Sequence, residues 1–271
     1  MWICLRFRGL PKPEKPRIKP RHNAQPARYL PISNLFDSLF KELPMSDAKP
    51  TIAILGGTGA LGTGLARRWA QAGYPVIIGS RKVEKAEEAL AELQTVMKER
   101  GVASIAVTAA DNLAAAAKAS IVAITVPYEH QAGTLESVKA HLQGKILIDV
   151  TVPLRPPKVG TVQLPAAGSA GQEAQALLGD GVKVVSAFQN VAAHHLQEGQ
   201  GIACDVLVSG NDKDAREAVI KLVEAAGMRG FSAGPINNAA AAEALTSILI
   251  QINRQYKCHA GIRITGIDSH E

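Results

Sequence analysis

Short runs of consecutive apolar residues recur along the chain after Pro50, and longer amphipathic stretches separate them. Five of these runs precede residue 151, are rich in Val and Ile, and are each four to six residues long. They are "IAIL" from Ile52, "PVIIG" from Pro75, "SIAVT" from Ser104, "IVAITV" from Ile121 and "KILIDV" from Lys145. Apolar residues in succession, rather than in alternation with polar ones, indicate strands that are buried on both faces.

The stretches between these runs have helical periodicity, and we predict helices over residues 61–72, 83–98, 112–117 and 128–142. A regular alternation of buried strand and helix indicates parallel strands that are joined by right-handed crossovers. The predicted fold class is therefore α/β, with a Rossmann-type doubly wound parallel sheet.

The pattern changes after the fifth strand, where residues 151–168 are rich in Pro and Gly and are expected to cross the surface. Beyond them, "VKVVSAF", "CDVLVSG" and "MRGFSAG" predict three more strands, and helices are predicted over 212–226 and 238–256. We therefore expect a smaller C-terminal part that ends in a long helix. The apolar face of that helix, formed by residues at i, i+3, i+4 and i+7, suggests a homodimer interface, and burial of the same face within one chain is the alternative. These residues are Leu245, Ile248, Leu249 and Ile252.

The net charge of +6 is concentrated at the N-terminus. Residues 1–44 hold nine of the 30 basic and three of the 24 acidic residues, which leaves 21 of each in the remainder. Because the remainder is neutral, the folded part is not expected to bind nucleic acid. The stretch "PKPEKPRIKP" from Pro11 is rich in proline, which restricts the backbone and removes donors. Residues 1–45 are therefore predicted to be a disordered basic extension.

The chain has no apolar run of the roughly 18 to 20 residues that a membrane span needs, so no span is expected. Its three cysteines, Cys4, Cys204 and Cys258, are isolated and are not at metal-ligand spacing. An odd number of scattered cysteines favours a reducing, cytoplasmic location without a disulfide framework.

A G-x-G-x-x-G motif follows the first predicted strand directly and opens the first helix. In such a motif the first glycine permits a tight turn, the second lets a pyrophosphate approach the backbone, and the third allows close packing of helix on strand. The helix N-terminus then supplies free N–H groups to the phosphate oxygens. The alternative is an ordinary turn, but the strand before and the helix after favour dinucleotide binding. The motif residues are Gly57, Thr58, Gly59, Ala60, Leu61 and Gly62.

The end of the second strand indicates which dinucleotide is bound. An NAD enzyme usually has a carboxylate here for the ribose 2′-hydroxyl, whereas this chain has "GSRKVEK" from Gly79. Ser80 can donate to a 2′-phosphate, Arg81 offers a bidentate fork, and Lys85 adds a point charge one turn into the helix. A solvated basic helix start is the alternative, but cations at a helix N-terminus are unfavourable unless an anion is bound. We therefore predict NADP(H).

Four segments together, "ILGGTGALGTGLA", "GSRKVEKAE", "TVPYEH" and "KILIDVTVP", resemble the F420-dependent NADP oxidoreductases, also called NADPH-dependent coenzyme F420 reductases. The resemblance covers most of residues 51–266. It implies hydride transfer between NADP(H) and the deazaflavin coenzyme F420, a small-molecule substrate that would lie in a cleft against the nicotinamide. It also implies an NADP-binding Rossmann domain, placed here at 46–185, and a deazaflavin-side domain at 186–271.

The resemblance further implies roles for individual residues. Residues 58–61 would contact the pyrophosphate, and Ser80, Arg81 and Lys85 would hold the 2′-phosphate. Tyr128, where the family commonly has Trp, would line the adenosine or nicotinamide side with Ala132, and Val152 and Ala193 would reach the nicotinamide. The chain departs from the family at Gln189-Asn190-Val191-Ala192, where members have a His-Thr-hydrophobic-Pro run; this segment is expected to face the deazaflavin.

Hydride transfer between two bound rings requires alignment and exclusion of water rather than an acid/base pair, and none is evident in the sequence. Two other classes of function remain open. The first is an NADPH-dependent reductase of another small acceptor, such as an imine, a quinone or a ferric chelate. A carbonyl or imine reductase normally needs a proton donor, for which His130 is the best candidate; the alternative for His130 is a polar residue in the first turn of a helix. The second, a non-catalytic NADP(H)-sensing protein, would need no proton donor. His194 and His195 are adjacent and should diverge, so no metal site is expected.

Overall fold

The computed structural model describes residues 48–102, 104–198 and 201–267. The extension predicted for residues 1–45 lies outside this part of the chain. The described residues from Ala48 onward belong to one compact unit. The predicted domain boundary after residue 185 falls within a strand, and the division into two domains stays a prediction.

The strands form an eight-stranded sheet in the order β3-β2-β1-β4-β5-β6-β7-β8. Neighbours from β3 through to β6 are parallel, β7 is antiparallel to β6, and β8 is parallel to β7. The strands are β1 (Ile52–Leu55), β2 (Val76–Ser80), β3 (Val107–Asp111), β4 (Ile121–Ile124), β5 (Ile146–Asp149), β6 (Lys183–Ser186), β7 (Asp205–Gly210) and β8 (Arg229–Ser232).

Helices connect nearly all of these strands. They are α1 (Ala60–Gln71), α2 (Val83–Glu99), α3 (Asn112–Lys118), α4 (Tyr128–Leu142), α5 (Ala170–Leu178), α6 (Ala193–Gln197), α7 (Lys213–Ala225) and α8 (Ala239–Tyr256). In the part of the chain that the structure describes, none of them is long and apolar enough to cross a membrane.

The first six strands confirm the predicted doubly wound sheet, because 3-2-1-4-5-6 is the strand order of a dinucleotide-binding Rossmann fold. The C-terminal part extends this sheet by β7 and β8 and ends in the long helix α8, as predicted. The direction in which successive strands are added to the sheet reverses between β1 and β4, because β2 and β3 lie on one side of β1 and β4 to β6 lie on the other. Ligands bind at this switch point in such sheets. This crevice lies at the carboxyl ends of the strands.

Two apolar layers cover the two faces of the sheet. Alternate residues of β1 point into opposite layers, so Ile52 and Ile54 belong to one and Ala53 and Leu55 to the other. This arrangement explains why the strand is apolar throughout. In the first layer, the Trp69 ring of α1 meets the Phe188 ring edge-on, with centroids 6.0 Å apart.

The structure departs from the predicted elements at three places. β3 begins at Val107 and not at Ser104, because it pairs with β2 in the register Val76↔Val107. Helices α5 and α6 were not predicted. α5 nevertheless has a local signal: Ser169 Oγ accepts a hydrogen bond from Gln172 N at 3.0 Å, and Gly179 ends the helix with φ +75°.

Candidate functional site: a dinucleotide groove beside an apolar cavity

The glycine loop connects β1 to α1, and its three motif glycines have different surroundings. A Cβ on Gly57 would lie 2.8 Å from Ile54 O, and one on Gly62 would lie 2.7 Å from Gly57 Cα. A Cβ on Gly59 would meet no atom within 4 Å. The first and third glycines are therefore required for packing of the chain on itself, whereas the second leaves open space at the helix N-terminus. That space fits the approach of a diphosphate.

A groove with a volume of about 220 Å³ runs from this loop to the end of β2. It brings Thr58 and Gly59 together with Ser80 and Arg81, which are distant in sequence. Ala60 and Leu61, the other predicted pyrophosphate contacts, form the first turn of α1. The lining residues are Gly56, Thr58, Gly59, Ser80, Arg81, Asn112, Thr125, Val126, Pro127, His130 and Thr134.

The three residues predicted to hold a 2′-phosphate are not equivalent in the structure. Ser80 ends β2, and its Oγ accepts a hydrogen bond from Lys82 N at 3.4 Å. Arg81 is exposed and lines the groove. Lys85 lies outside the lining, and its Nζ is 2.6 Å from Glu88 Oε2, which raises the pKa of the lysine. The groove therefore presents a hydroxyl and a guanidinium, while Lys85 would have to leave Glu88 to reach a phosphate.

Asn112 and Thr125 also line the groove, and no role was predicted for either residue. Asn112 Oδ1 accepts from Gly56 N at 3.4 Å, and Thr125 Oγ1 lies 3.0 Å from Leu55 O and 3.1 Å from Gly56 O. These two side chains hold the start of the glycine loop from both sides. Their position directly after β3 and β4 is a signal that could have identified them, because polar residues at carboxyl ends of parallel strands face the crevice.

A second cavity, of about 560 Å³, adjoins the groove and is mainly apolar. Pro127, directly before α4, lines both cavities, so the two lie on either side of this residue. The second cavity brings together Tyr128, predicted on the adenosine or nicotinamide side, and Val152, predicted to reach the nicotinamide. Its lining is formed by Pro127, Tyr128, Glu129, Val152, Leu154, Arg155, Pro156 and Val159.

Polar groups orient the Tyr128 ring at the edge of this cavity. The Tyr128 hydroxyl donates to Glu173 Oε2 at 2.8 Å, and the Arg155 guanidinium lies 5.9 Å from the ring centroid. Burial and then the Glu173 carboxylate raise the pKa of Tyr128. The residue therefore presents a neutral, fixed aromatic face, which suits stacking or edge contact with a flat ligand.

Two further predicted contacts lie apart from both cavities. Ala132 is exposed on α4 and is absent from both linings, and Ala193 is the first residue of α6 and is half-buried. His130 lines the groove beside Glu129, with its Nε2 3.7 Å from Glu129 Oε1. The predictions for Ala132 and Ala193 stay predictions.

The segment in which the chain departs from the family's pattern is buried and makes internal hydrogen bonds. Gln189 Nε2 donates to Asp149 O and Ser186 Oγ, both at 2.8 Å. Asn190 Nδ2 donates to Ala242 O at 2.8 Å. These amides therefore join the ends of β5 and β6 to α8.

Among the described residues, no cluster of His, Cys, Asp or Glu could hold a metal ion.

Two carboxyl groups, those of Asp149 and Glu243, are buried in the protein. Asp149 ends β5, and burial raises its pKa to about 6, although Thr151 N donates to its Oδ1 at 2.9 Å. Burial raises the pKa of Glu243, on α8, to about 8. No role was predicted for either residue, because a lone carboxylate in sequence does not reveal whether it is buried.

Fold and groove together define a Rossmann-type protein that binds a nicotinamide dinucleotide. Residues 51–153 match the model of the family described as "NADP oxidoreductase coenzyme F420-dependent". The chain is 40% identical over 223 residues to the F420-dependent NADP reductase of Methanocaldococcus jannaschii, with 80% of this chain and 99% of the relative covered. The chain therefore belongs to the F420-dependent NADP oxidoreductase family, which confirms the resemblance.

A second relative and a solved structure are similar to this chain as well. The F420-dependent NADP reductase of Methanothermobacter thermautotrophicus is 39% identical over 227 residues, with 81% of this chain and 97% of the relative covered. Among solved structures, a putative F420-dependent NADP reductase from Arthrobacter sp. FB24 is similar, with a TM-score of 0.63 and 27% identity. That alignment covers 79% of this chain and 99% of the other.

Proposed function

We propose that this protein transfers a hydride between NADP(H) and the deazaflavin coenzyme F420. The observation that carries the proposal is the 40% identity to an F420-dependent NADP reductase across 99% of that relative. The groove adds a physical reason for the choice of dinucleotide, because Ser80 and Arg81 replace the carboxylate that would hold an unphosphorylated ribose.

The groove residues fit an NADP molecule. N–H groups at the start of α1 and the open space at Gly59 suit the pyrophosphate, and Ser80 Oγ and the Arg81 guanidinium suit the 2′-phosphate. Val126 and Pro127, which follow β4, continue the groove along the carboxyl end of that strand. The nicotinamide half would then enter the apolar cavity lined by Tyr128 and Val152.

The chemistry needs two aligned rings. When both are bound, the nicotinamide C4 supplies or accepts the hydride and the deazaflavin C5 is its partner, with the proton balance met by solvent. The protein contributes alignment and a cavity from which Val152, Leu154 and Val159 exclude water. The fixed face of Tyr128 would restrict the orientation of one ring.

Stopped-flow absorbance tests this function. The protein is mixed with NADPH and oxidised F420, and we expect the deazaflavin absorbance band to bleach at a rate that saturates with both substrates. The same reaction with NADH in place of NADPH should be much slower. NADPH binding without bleaching would indicate a sensor, and turnover with an imine, quinone or ferric chelate alone would indicate a different reductase.

We further propose a cytoplasmic location and a homodimer. The location is supported by Cys204 and Cys258, both free thiols in the described part of the chain. The homodimer is supported by the exposed Ile248 and Tyr256 of α8. Light scattering of the purified protein tests the second proposal, and a mass of one chain would contradict it.

A further inference from the structure

Two neighbouring arginines of α1 are buried against the C-terminal end of α6. Arg67 donates through Nη2 to Leu196 O and to Glu198 O, the latter at 2.9 Å, and through Nη1 to Gln197 O. Arg68 donates through Nε to Leu196 O at 3.2 Å and through Nη2 to His195 O at 2.9 Å. Two guanidinium groups thus bind four successive carbonyl groups.

These carbonyl groups need donors. The last carbonyls of a helix have no partner within it and carry the negative end of its dipole. α6 contains only residues Ala193–Gln197, and a helix this short is not stable by itself. The forked guanidinium groups of Arg67 and Arg68 therefore supply donors to the carbonyls at the end of this turn and stabilise it.

The arrangement brings like charges together. Arg100 Nη2 also donates to Gln197 O, at 3.0 Å. Burial, followed by the charges of Arg100 and Arg68, lowers the pKa of Arg67 to about 10. Such repulsion is unfavourable, and the many hydrogen bonds to α6 offset it. A simple apolar contact between the two helices would have avoided this cost.

α6 also contacts the part of α1 that borders the dinucleotide groove. Gln197 Nε2 donates to Ala60 O at 2.8 Å and to Thr63 Oγ1 at 3.0 Å. A Cβ on Gly64 would lie 2.6 Å from Leu196 Cβ, so the two backbones are in close contact. α6 therefore contacts α1 from Ala60, the first residue of α1, to Arg68.

We propose that Arg67 and Arg68 are positioning residues that make α6 a rigid extension of the pyrophosphate-binding helix. They thereby hold Ala193, the predicted nicotinamide contact, and the preceding segment in place relative to the bound dinucleotide. The inference rests on the proposed function for the identity of the second substrate. It does not depend on that function for the coupling itself, because a dinucleotide that stabilises the first turn of α1 should also stabilise α6.

Hydrogen exchange, read by mass spectrometry on the full chain, measures this coupling. We expect NADP⁺ to slow exchange of the backbone amides of residues 191–198 in the unaltered protein. In Arg67→Lys and Arg68→Lys variants this protection should be lost, because lysine keeps the charge but lacks the planar fork. The matched control is Arg216→Lys, since Arg216 also donates to a backbone carbonyl, Gly210 O, but in the α7 region. The control should keep the protection.

Steady-state kinetics separates positioning from a general loss of structure. The variants should bind NADP⁺ within about twofold of the unaltered protein, since the groove residues are unchanged, while kcat/KM for F420 falls about 10- to 100-fold, the scale of a small misplacement. If an arginine variant does not fold, Gln197→Ala tests the same link, because it removes only the bonds to Ala60 and Thr63.

The outcomes are distinct. No NADP⁺-dependent protection of residues 191–198 in the unaltered protein, or full protection in the lysine variants, would overturn the coupling. Absence of F420 turnover in the unaltered protein would instead contradict the proposed function. The NADP⁺-dependent protection of residues 191–198 could still be interpreted, because it does not require F420.

Discussion

The Glu243 carboxylate of α8 binds the N-terminal end of α5, with its Oε2 2.7 Å from Ala170 N and its Oε1 3.1 Å from Gly171 N. Glu243 is 1% exposed, so the contact is buried. A carboxylate is favourable at a helix N-terminus, yet burial raises its pKa to about 8 against the lowering effect of these two bonds. The terminal helix is thus linked by a titratable group to the first turn of α5.

This contact predicts that stability falls as the pH rises. The ordinary pKa of a glutamate is 4.5 and that of folded Glu243 is about 8, so between these values the folded state binds more protons than the unfolded state. The free energy of unfolding therefore decreases with pH in this window, by at most about 1.4 kcal/mol per pH unit from this group. Asp149, with a pKa raised to about 6, contributes in the same direction at lower pH.

Glu243→Gln tests the assignment. The variant should be less stable than the unaltered protein near pH 5, by about 1 to 2 kcal/mol, because an amide oxygen satisfies one backbone N–H well and not two. The difference should shrink as the pH rises and reverse its sign before pH 8.5, because ionisation of Glu243 destabilises the unaltered protein whereas the amide cannot ionise. Urea unfolding at several pH values measures both. An equal difference at all pH values would contradict the raised pKa.

The contact of Gly64 with Leu196 predicts the effect of a single methyl group. Gly64→Ala places a Cβ 2.6 Å from Leu196 Cβ, and overpacking of this kind costs about 1 to 3 kcal/mol. The gain in helix propensity, about 0.5 to 1 kcal/mol, is smaller. We therefore expect net destabilisation, measured by denaturant unfolding.

Gly133→Ala is the matched control for this variant. Gly133 is also inside a helix, α4, but a Cβ there meets no atom within 4 Å. It should stabilise the protein by about 0.5 to 1 kcal/mol through helix propensity alone. Equal effects of the two substitutions would show that α6 does not pack closely on α1.

Substitution of two motif glycines, Gly59 and Gly62, should change NADPH binding and the free energy of unfolding separately. Gly59 has φ −80° and ψ 167°, which alanine adopts without strain, and its Cβ would meet only open space. Gly59→Ala should leave the free energy of unfolding unchanged but weaken NADPH binding at least tenfold, or about 1.4 kcal/mol, by blocking the diphosphate.

Gly62→Ala should instead lower the free energy of unfolding. Its Cβ would lie 2.7 Å from Gly57 Cα and 2.9 Å from Thr125 Oγ1, so we expect destabilisation of about 1 to 3 kcal/mol. Isothermal titration and urea unfolding of both variants measure the two quantities. Unimpaired NADPH binding by Gly59→Ala would contradict the placement of the diphosphate.

The choice of dinucleotide is tested at Arg81. Arg81→Ala should weaken NADPH binding by about 1.5 to 3 kcal/mol, the scale of a lost charged hydrogen bond, and leave NADH binding nearly unchanged. Lys85→Ala should have a smaller effect, because Lys85 is already paired with Glu88 at 2.6 Å. Titration with both dinucleotides measures this, and equal weakening of NADPH and NADH by Arg81→Ala would contradict a 2′-phosphate contact.

Much of the fold could be predicted because its signals are local. The uninterrupted apolar strand from Ile52 indicates burial on both faces, and the helix bounds at Tyr128 and Leu142 follow from periodicity. The glycine loop and the Ser80-Arg81 pair could be identified for the same reason, since a strand, a turn and a helix N-terminus are adjacent in sequence. These features predicted the α/β class and the doubly wound sheet, which the structure confirms, and the residues of a dinucleotide site, which stay predictions.

Only the tertiary structure decided which residues that are distant in sequence are in contact. The hydrogen bonds of Arg67 and Arg68 to Glu198 O, directly after α6, join residues that are about 130 positions apart. The raised pKa of Glu243 arises from burial against α5, which no residue near it in sequence reveals. Short-range periodicity encodes which residues face inward, whereas the partner that each inward residue meets is set by the packing of distant elements.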